Sequence, residues 1–99
     1  MITGSQCRAA RALTELTRER LAQLSGVDAA AIEAFERRIE EASAAQNAAL
    51  RSALEQAGAV FIPENGGGIG VRLKFNRSEV RRLAVLESEG GIAALDDVP

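Results

Sequence analysis

The chain has 99 residues, 12 Lys and Arg against 14 Asp and Glu, no His, one Cys and a net charge of -2. That length suits one domain with a tail; a single Cys excludes an internal disulfide framework and fits a reducing cytoplasm, and no apolar run approaches the ~20 residues of a membrane span. Without His, with a lone Cys, and without a metal-ligand cluster or paired acids placed to share a proton, the common catalytic chemistries are excluded, so neither an enzyme nor a cofactor is expected.

Apolar residues make up 46% of the chain, but Ala supplies much of this and there are three Phe, no Trp and no Tyr. The core is therefore thin, and dimerisation is a common remedy.

Thr3-Gly4-Ser5 opens a first helix, with Ser5 or Thr3 as its cap. Cys7, Ala10, Leu13 and Leu16 recur at spacings of three as an apolar stripe, and Cys7 reads as a small core residue. Arg8 and Arg11 fall on another face, as contacts to a DNA backbone or as ordinary solvated surface. Thr17 then stands as an N-cap with Glu19 behind it, and Leu21, Ala22 and Leu24 repeat at helical spacing. Gly26 suits a left-handed C-cap, and Asp28 is a second N-cap. Ile32 and Phe35 follow three apart. Two short helices joined by a tight turn containing Gly form a helix-turn-helix, whose second helix enters a DNA major groove.

An acidic connector over 39–43 leads to a fourth helix, started by Ser43 or Asn47. Leu50, Ala53, Leu54 and Ala57 line one face of it, Gly58 ends it, and Arg51 and Glu55 form a surface pair. Glu36, Glu40 and Glu41 beside Arg37 and Arg38 read as further surface pairs.

At Gly58 the pattern changes to Ala59-Val60-Phe61-Ile62, a Gly-rich loop, and then Val71, Leu73 and Phe75 alternating with Arg72 and Lys74. This predicts a β-hairpin. A phosphate cradle needs such a loop to run from strand into helix with a following Lys or a G-x-G-x-x-G spacing; here it runs strand to strand, so it reads as a turn. An isolated hairpin is marginal and its edges need covering. Val60, Phe61, Ile62, Val71, Leu73 and Phe75 are therefore the candidates for a homodimer contact, the alternative being that the hairpin packs on its own helices. A last helix is expected over 78–87, with Val80, Leu83 and Ala84 on one side and Arg77, Arg81 and Arg82 on another, followed by an acidic tail. The organisation predicted is a helical unit over 1–58 and a hairpin, helix and tail over 59–99.

The segments TGSQCRAARAL, TRERLAQLSGVD, ALRSALEQAG and VFIPENGGGIGVRL, in this order, resemble the small Xre-type (Cro/repressor-like) helix-turn-helix regulators across residues 1–75. The resemblance implies a mainly α fold: a repressor-like unit of four or five helices, then a β-hairpin and a C-terminal helix. It also implies a dimer on double-stranded DNA at the nucleoid that regulates transcription, by expectation as a repressor, with no small-molecule ligand. Family members usually begin the second helix with a Gln that touches a phosphate; Arg18 stands there. Polar or basic residues usually open the reading helix; here stand Asp28, Ala29, Ala30 and Ala31. Ala meets a thymine methyl but makes no bidentate bond, and Glu33 can accept from a cytosine amino group. The usual Gly after that helix is replaced by Arg37-Arg38, suited to grip the backbone.

Charge weighs against DNA. Residues 1–58 hold seven Arg and eight acids, whereas a basic footprint is the usual first sign of a nucleic-acid binder. The second reading is accordingly a relative that keeps the fold without reading DNA, acting as a protein-interaction module or heterodimer partner of another regulator.

Overall fold

A computed structural model describes residues 1–74. The predicted C-terminal helix, the acidic tail and Phe75 lie outside the described residues. Within them the chain forms α1 (Gly4–Thr14), α2 (Arg18–Ser25), α3 (Ala29–Glu36) and α4 (Ala44–Gln56), then β1 (Ala59–Ile62) and β2 (Gly70–Leu73). The architecture is mainly helical, with one two-stranded antiparallel hairpin.

The helix starts follow from their caps. Thr3 and Gln6 form a capping box at α1, and Ser43 and Gln46 form another at α4, each satisfying two orphan N–H groups. Thr17 accepts from the Arg20 N–H to open α2. Asp28 occupies the cap position of α3, but its side chain makes no cap hydrogen bond. The turn before it is held instead by Ser25, whose hydroxyl accepts from the Val27 N–H at 3.1 Å. Gly26 has a φ of 76°, the left-handed geometry that ends α2 and redirects the chain.

Leu21, Ile32, Leu50, Leu54 and Cys7 are fully buried at the centre, with Ile2, Ala10, Val27, Phe35, Ala53, Ala59 and Phe61 around them. Gly4 brings the start of α1 against the end of α3: a Cβ there would run into the Phe35 carbonyl oxygen. The N-terminal segment is tied to α4 by Asn47, 2% exposed. Its Oδ1 accepts from the Ile2 N–H at 3.0 Å and its Nδ2 donates to the Ile2 carbonyl at 2.8 Å.

The hairpin is part of this core. Ala59 pairs with Leu73 and Phe61 with Val71; Ala59 and Phe61 are buried and Val71 packs beside them. The Arg51 guanidinium lies 5.9 Å from the centre of the Phe61 ring. Gln6 reaches from α1 and donates to the carbonyls of Gly70 at 2.9 Å and Ile62 at 3.4 Å. The Gly-rich loop is a turn, as expected: the Glu64 carboxylate accepts from the N–H groups of Gly66 and Gly68, and Asn65 Oδ1 from Gly67. Its amides are thus engaged by the loop's own side chains.

Two predicted stripes are corrected. Leu13 is 39% exposed and Leu24 47%. A row at strict spacing of three drifts about 60° around a helix at each step. The buried row on α1 is Cys7, Ala10 and Thr14, at spacings of three and four. Phe61, named among the dimer contacts, lies in the chain's own core, only 8% exposed.

Candidate nucleic-acid interface

α2 and α3 are eight residues each, joined through Gly26, Val27 and Asp28. Val27 is 6% exposed and plugs the corner between them. Ile32, Phe35 and Glu36 form the buried side of α3. Asp28 and Ala30 are exposed and Ala29 is half-buried. Ala30, Glu33 and Arg37, at spacings of three and four, share an outer face. Glu33 and Arg37 pair across one turn at 3.1 Å while staying largely in solvent. Ahead of Arg37 this face therefore offers side-chain acceptors and methyl groups, and no side-chain donor.

Glu36 is the main departure from the sequence reading. It is not a surface acid but 4% exposed, and it takes four hydrogen bonds, two on each carboxylate oxygen. Arg11 Nε reaches Oε2 and Arg11 Nη2 reaches Oε1, both at 2.7 Å. Arg18 Nε donates to Oε1 at 3.1 Å and the Cys7 thiol to Oε2 at 3.3 Å. Arg11 also donates to the Leu16 carbonyl at 3.2 Å. One carboxylate thus fastens α1, the start of α2 and the end of α3.

Burial alone would raise the Glu36 carboxyl, but the hydrogen bonds from Arg11, Cys7 and Arg18, with the charge of Arg11, hold it below its ordinary value. The bond to Glu36 holds Arg11 firmly protonated against the opposing effect of burial. Burial, then the neighbouring Glu36 charge, pushes the Cys7 thiol far up, so it stays protonated and unreactive.

The predicted DNA contacts therefore divide. Asp28, Ala29, Ala30 and Glu33 lie on or beside the outer face of α3. Arg18 uses its Nε on Glu36, and its side chain is 31% exposed. Arg11, read as a companion of Arg8, is taken up by Glu36. Arg8, Arg37 and Arg38 come together: with Ser5, Ala9, Ala12 and Glu36 they line an open cleft of about 660 Å³ between α1 and the end of α3. Of the six hairpin residues, Phe61 is in the core, Phe75 lies outside the described residues, and Val60, Ile62, Val71 and Leu73 are half-buried.

The Glu36 network was missed because Glu36 precedes two arginines and reads as one charge in a surface run. Position 36 does continue the row of Ile32 and Phe35, which is the signal that it faces inward. No protein-family model matches the chain, and no curated protein matches it.

Proposed function

We propose that the protein is a DNA-binding transcriptional regulator acting as a homodimer, with α3 as the helix that enters the major groove. The observation that carries this reading is the mounting of α3. Its Ile32–Phe35–Glu36 side is fixed by the core and the Arg11–Glu36 pair, its other side is free, and α2 meets it through a Gly-containing turn. A rigid helix, packed on one side and unpacked on the other, is what a helix-turn-helix unit presents to DNA. The cationic cleft at its C-terminal end supplies charge where phosphates border a groove.

A second reading is favoured by the absence of a side-chain donor on the α3 face ahead of Arg37. Guanine offers two acceptors in the major groove, and acids and Ala satisfy neither. On this reading the same surface meets a protein partner. An unbiased selection from random duplexes at near-physiological salt, with the mass in solution recorded, separates the two. Enrichment of a palindrome with half-sites about one helical turn apart supports the regulator. A well-folded dimer that enriches nothing, and does not retain duplex even at low salt, supports the interaction module.

A further inference from the structure

The described residues hold eight arginines, at 8, 11, 18, 20, 37, 38, 51 and 72. Arg11 and Arg18 are bound to Glu36, Arg37 to Glu33 and Arg51 to Glu55. Arg20 donates to Gln23 and Arg72 to the Leu73 carbonyl. Arg8 and Arg38 are, among the described residues, the two whose guanidinium groups bond to nothing, and both line the cleft between α1 and the end of α3. Both are exposed. In a molecule with more acids than bases, the cations left without partners have gathered in one concave place.

The geometry points to a phosphate clamp: Arg8 from α1 and Arg38 from the end of α3 close on one backbone phosphate of a DNA duplex, with Arg37 beside them. This rests on the proposed DNA-binding function and says which part of the molecule carries its electrostatic contact. Three features support it. The walls are held in fixed relation, because Gly4 seats α1 against the Phe35 carbonyl and Glu36 joins the two helices from beneath. The Glu36 carboxylate lines the cleft, but all four of its hydrogen bonds are directed to Arg11, Arg18 and Cys7, and so it is neutralised toward an anion. Arg37, on the outer face shared with Ala30 and Glu33, also lines the cleft, so the cleft continues the α3 surface proposed to enter the groove. Glu40 and Glu41 border Arg38 on its other side, in a neighbouring cleft, and their charge opposes binding there. A phosphodiester on the Arg8 side is favoured over an acidic peptide because a guanidinium pair matches a tetrahedral anion with several acceptors.

Binding of the full chain to a random-sequence duplex is measured against salt concentration, for the wild type, Arg8→Gln, Arg38→Gln and the double variant. Arg72→Gln, on the hairpin, serves as a charge control. Each single variant is expected to bind roughly tenfold more weakly and to lower the slope of log affinity against log salt by about 0.9, the value for one phosphate. The double variant lowers the slope by the same amount, because one phosphate is lost in all three, and Arg72→Gln changes nothing. Additive slopes in the double variant would mean two separate contacts and overturn the clamp; unchanged slopes in the singles would overturn it while leaving DNA binding intact. A wild type that binds no duplex at low salt removes the underlying DNA reading, and the clamp with it. Inorganic phosphate and polyglutamate are titrated in parallel, reading the arginine Nε resonances. Saturation of Arg8 and Arg38 by either, undisturbed by excess duplex, would assign the cleft to a free anion or to an acidic protein and overturn the proposal.

Discussion

Replacing Glu36 by Ala tests how the DNA-facing unit is held together. The change removes an acceptor of four hydrogen bonds and leaves the Arg11 side chain, 16% exposed, without its counter-charge. Breaking a buried ion pair from one side costs about 3–5 kcal/mol, against the roughly 5–15 kcal/mol that holds a domain of this kind folded. With a urea slope near 1.5 kcal/mol/M, the unfolding midpoint falls by about 2–3 M. The exposed Arg51–Glu55 pair is the comparison. Both its side chains are nearly half exposed, so Glu55→Ala costs about 0.5 kcal/mol or less. Arg11→Ala should approach Glu36→Ala, while Arg18→Ala, which removes one bond at 3.1 Å from a side chain 31% exposed, costs clearly less. A loss under about 1 kcal/mol for Glu36→Ala, or one equal to that of Glu55→Ala, would refute the reasoning. The network also sets a pH dependence. Because the folded carboxyl lies below its ordinary value, the unfolded chain takes up this proton first as pH falls. The stabilisation is complete above a pH of about 4.3 and is lost as pH falls through the folded value. Glu36→Gln, followed by urea unfolding from neutral to acid pH, lacks that component.

Asn47→Ala removes both bonds to Ile2 from a residue 2% exposed, leaving a buried N–H and a buried carbonyl without partners. A loss of about 2–3 kcal/mol is expected by urea unfolding, with earlier amide exchange at Ile2; a neutral result would mean that water replaces the amide. Thr17→Ala, which deletes a formed cap, should cost about 1 kcal/mol. Asp28→Ala, which deletes none, should cost no more than the few tenths that a carboxylate gains near a helix N-terminus. Equal losses at the two positions would show that Asp28 caps α3 in solution.

The sequence made the four helices legible because their starts are written in short-range chemistry: Thr3, Thr17 and Ser43 stand where their hydroxyls cap. The hairpin was legible from alternation, and the loop from the strand-to-strand setting of its glycines. The buried polar groups were less so. Asn47 was considered as a helix start, and its role is a contact with Ile2, distant in sequence, that local patterns do not encode. Its spacing to Leu50 and Leu54 marks it as inward, as the spacing to Ile32 and Phe35 marks Glu36. For the candidate site, residue type suggested Arg8, Arg18, Arg37 and Arg38 alike. Only the folded arrangement separates Arg18, tied to Glu36, from Arg8 and Arg38, which share a cleft.

Gln6 has a mechanical consequence. Its amide joins the two hairpin strands at the point where the loop leaves them, and its backbone belongs to the helix that also carries Arg8. Hairpin and α1 are thereby braced as one lever rather than hinged. Whatever grips the hairpin's outer side is held at a set angle to the outer face of α3, and a torque on one end is delivered to the other without slack.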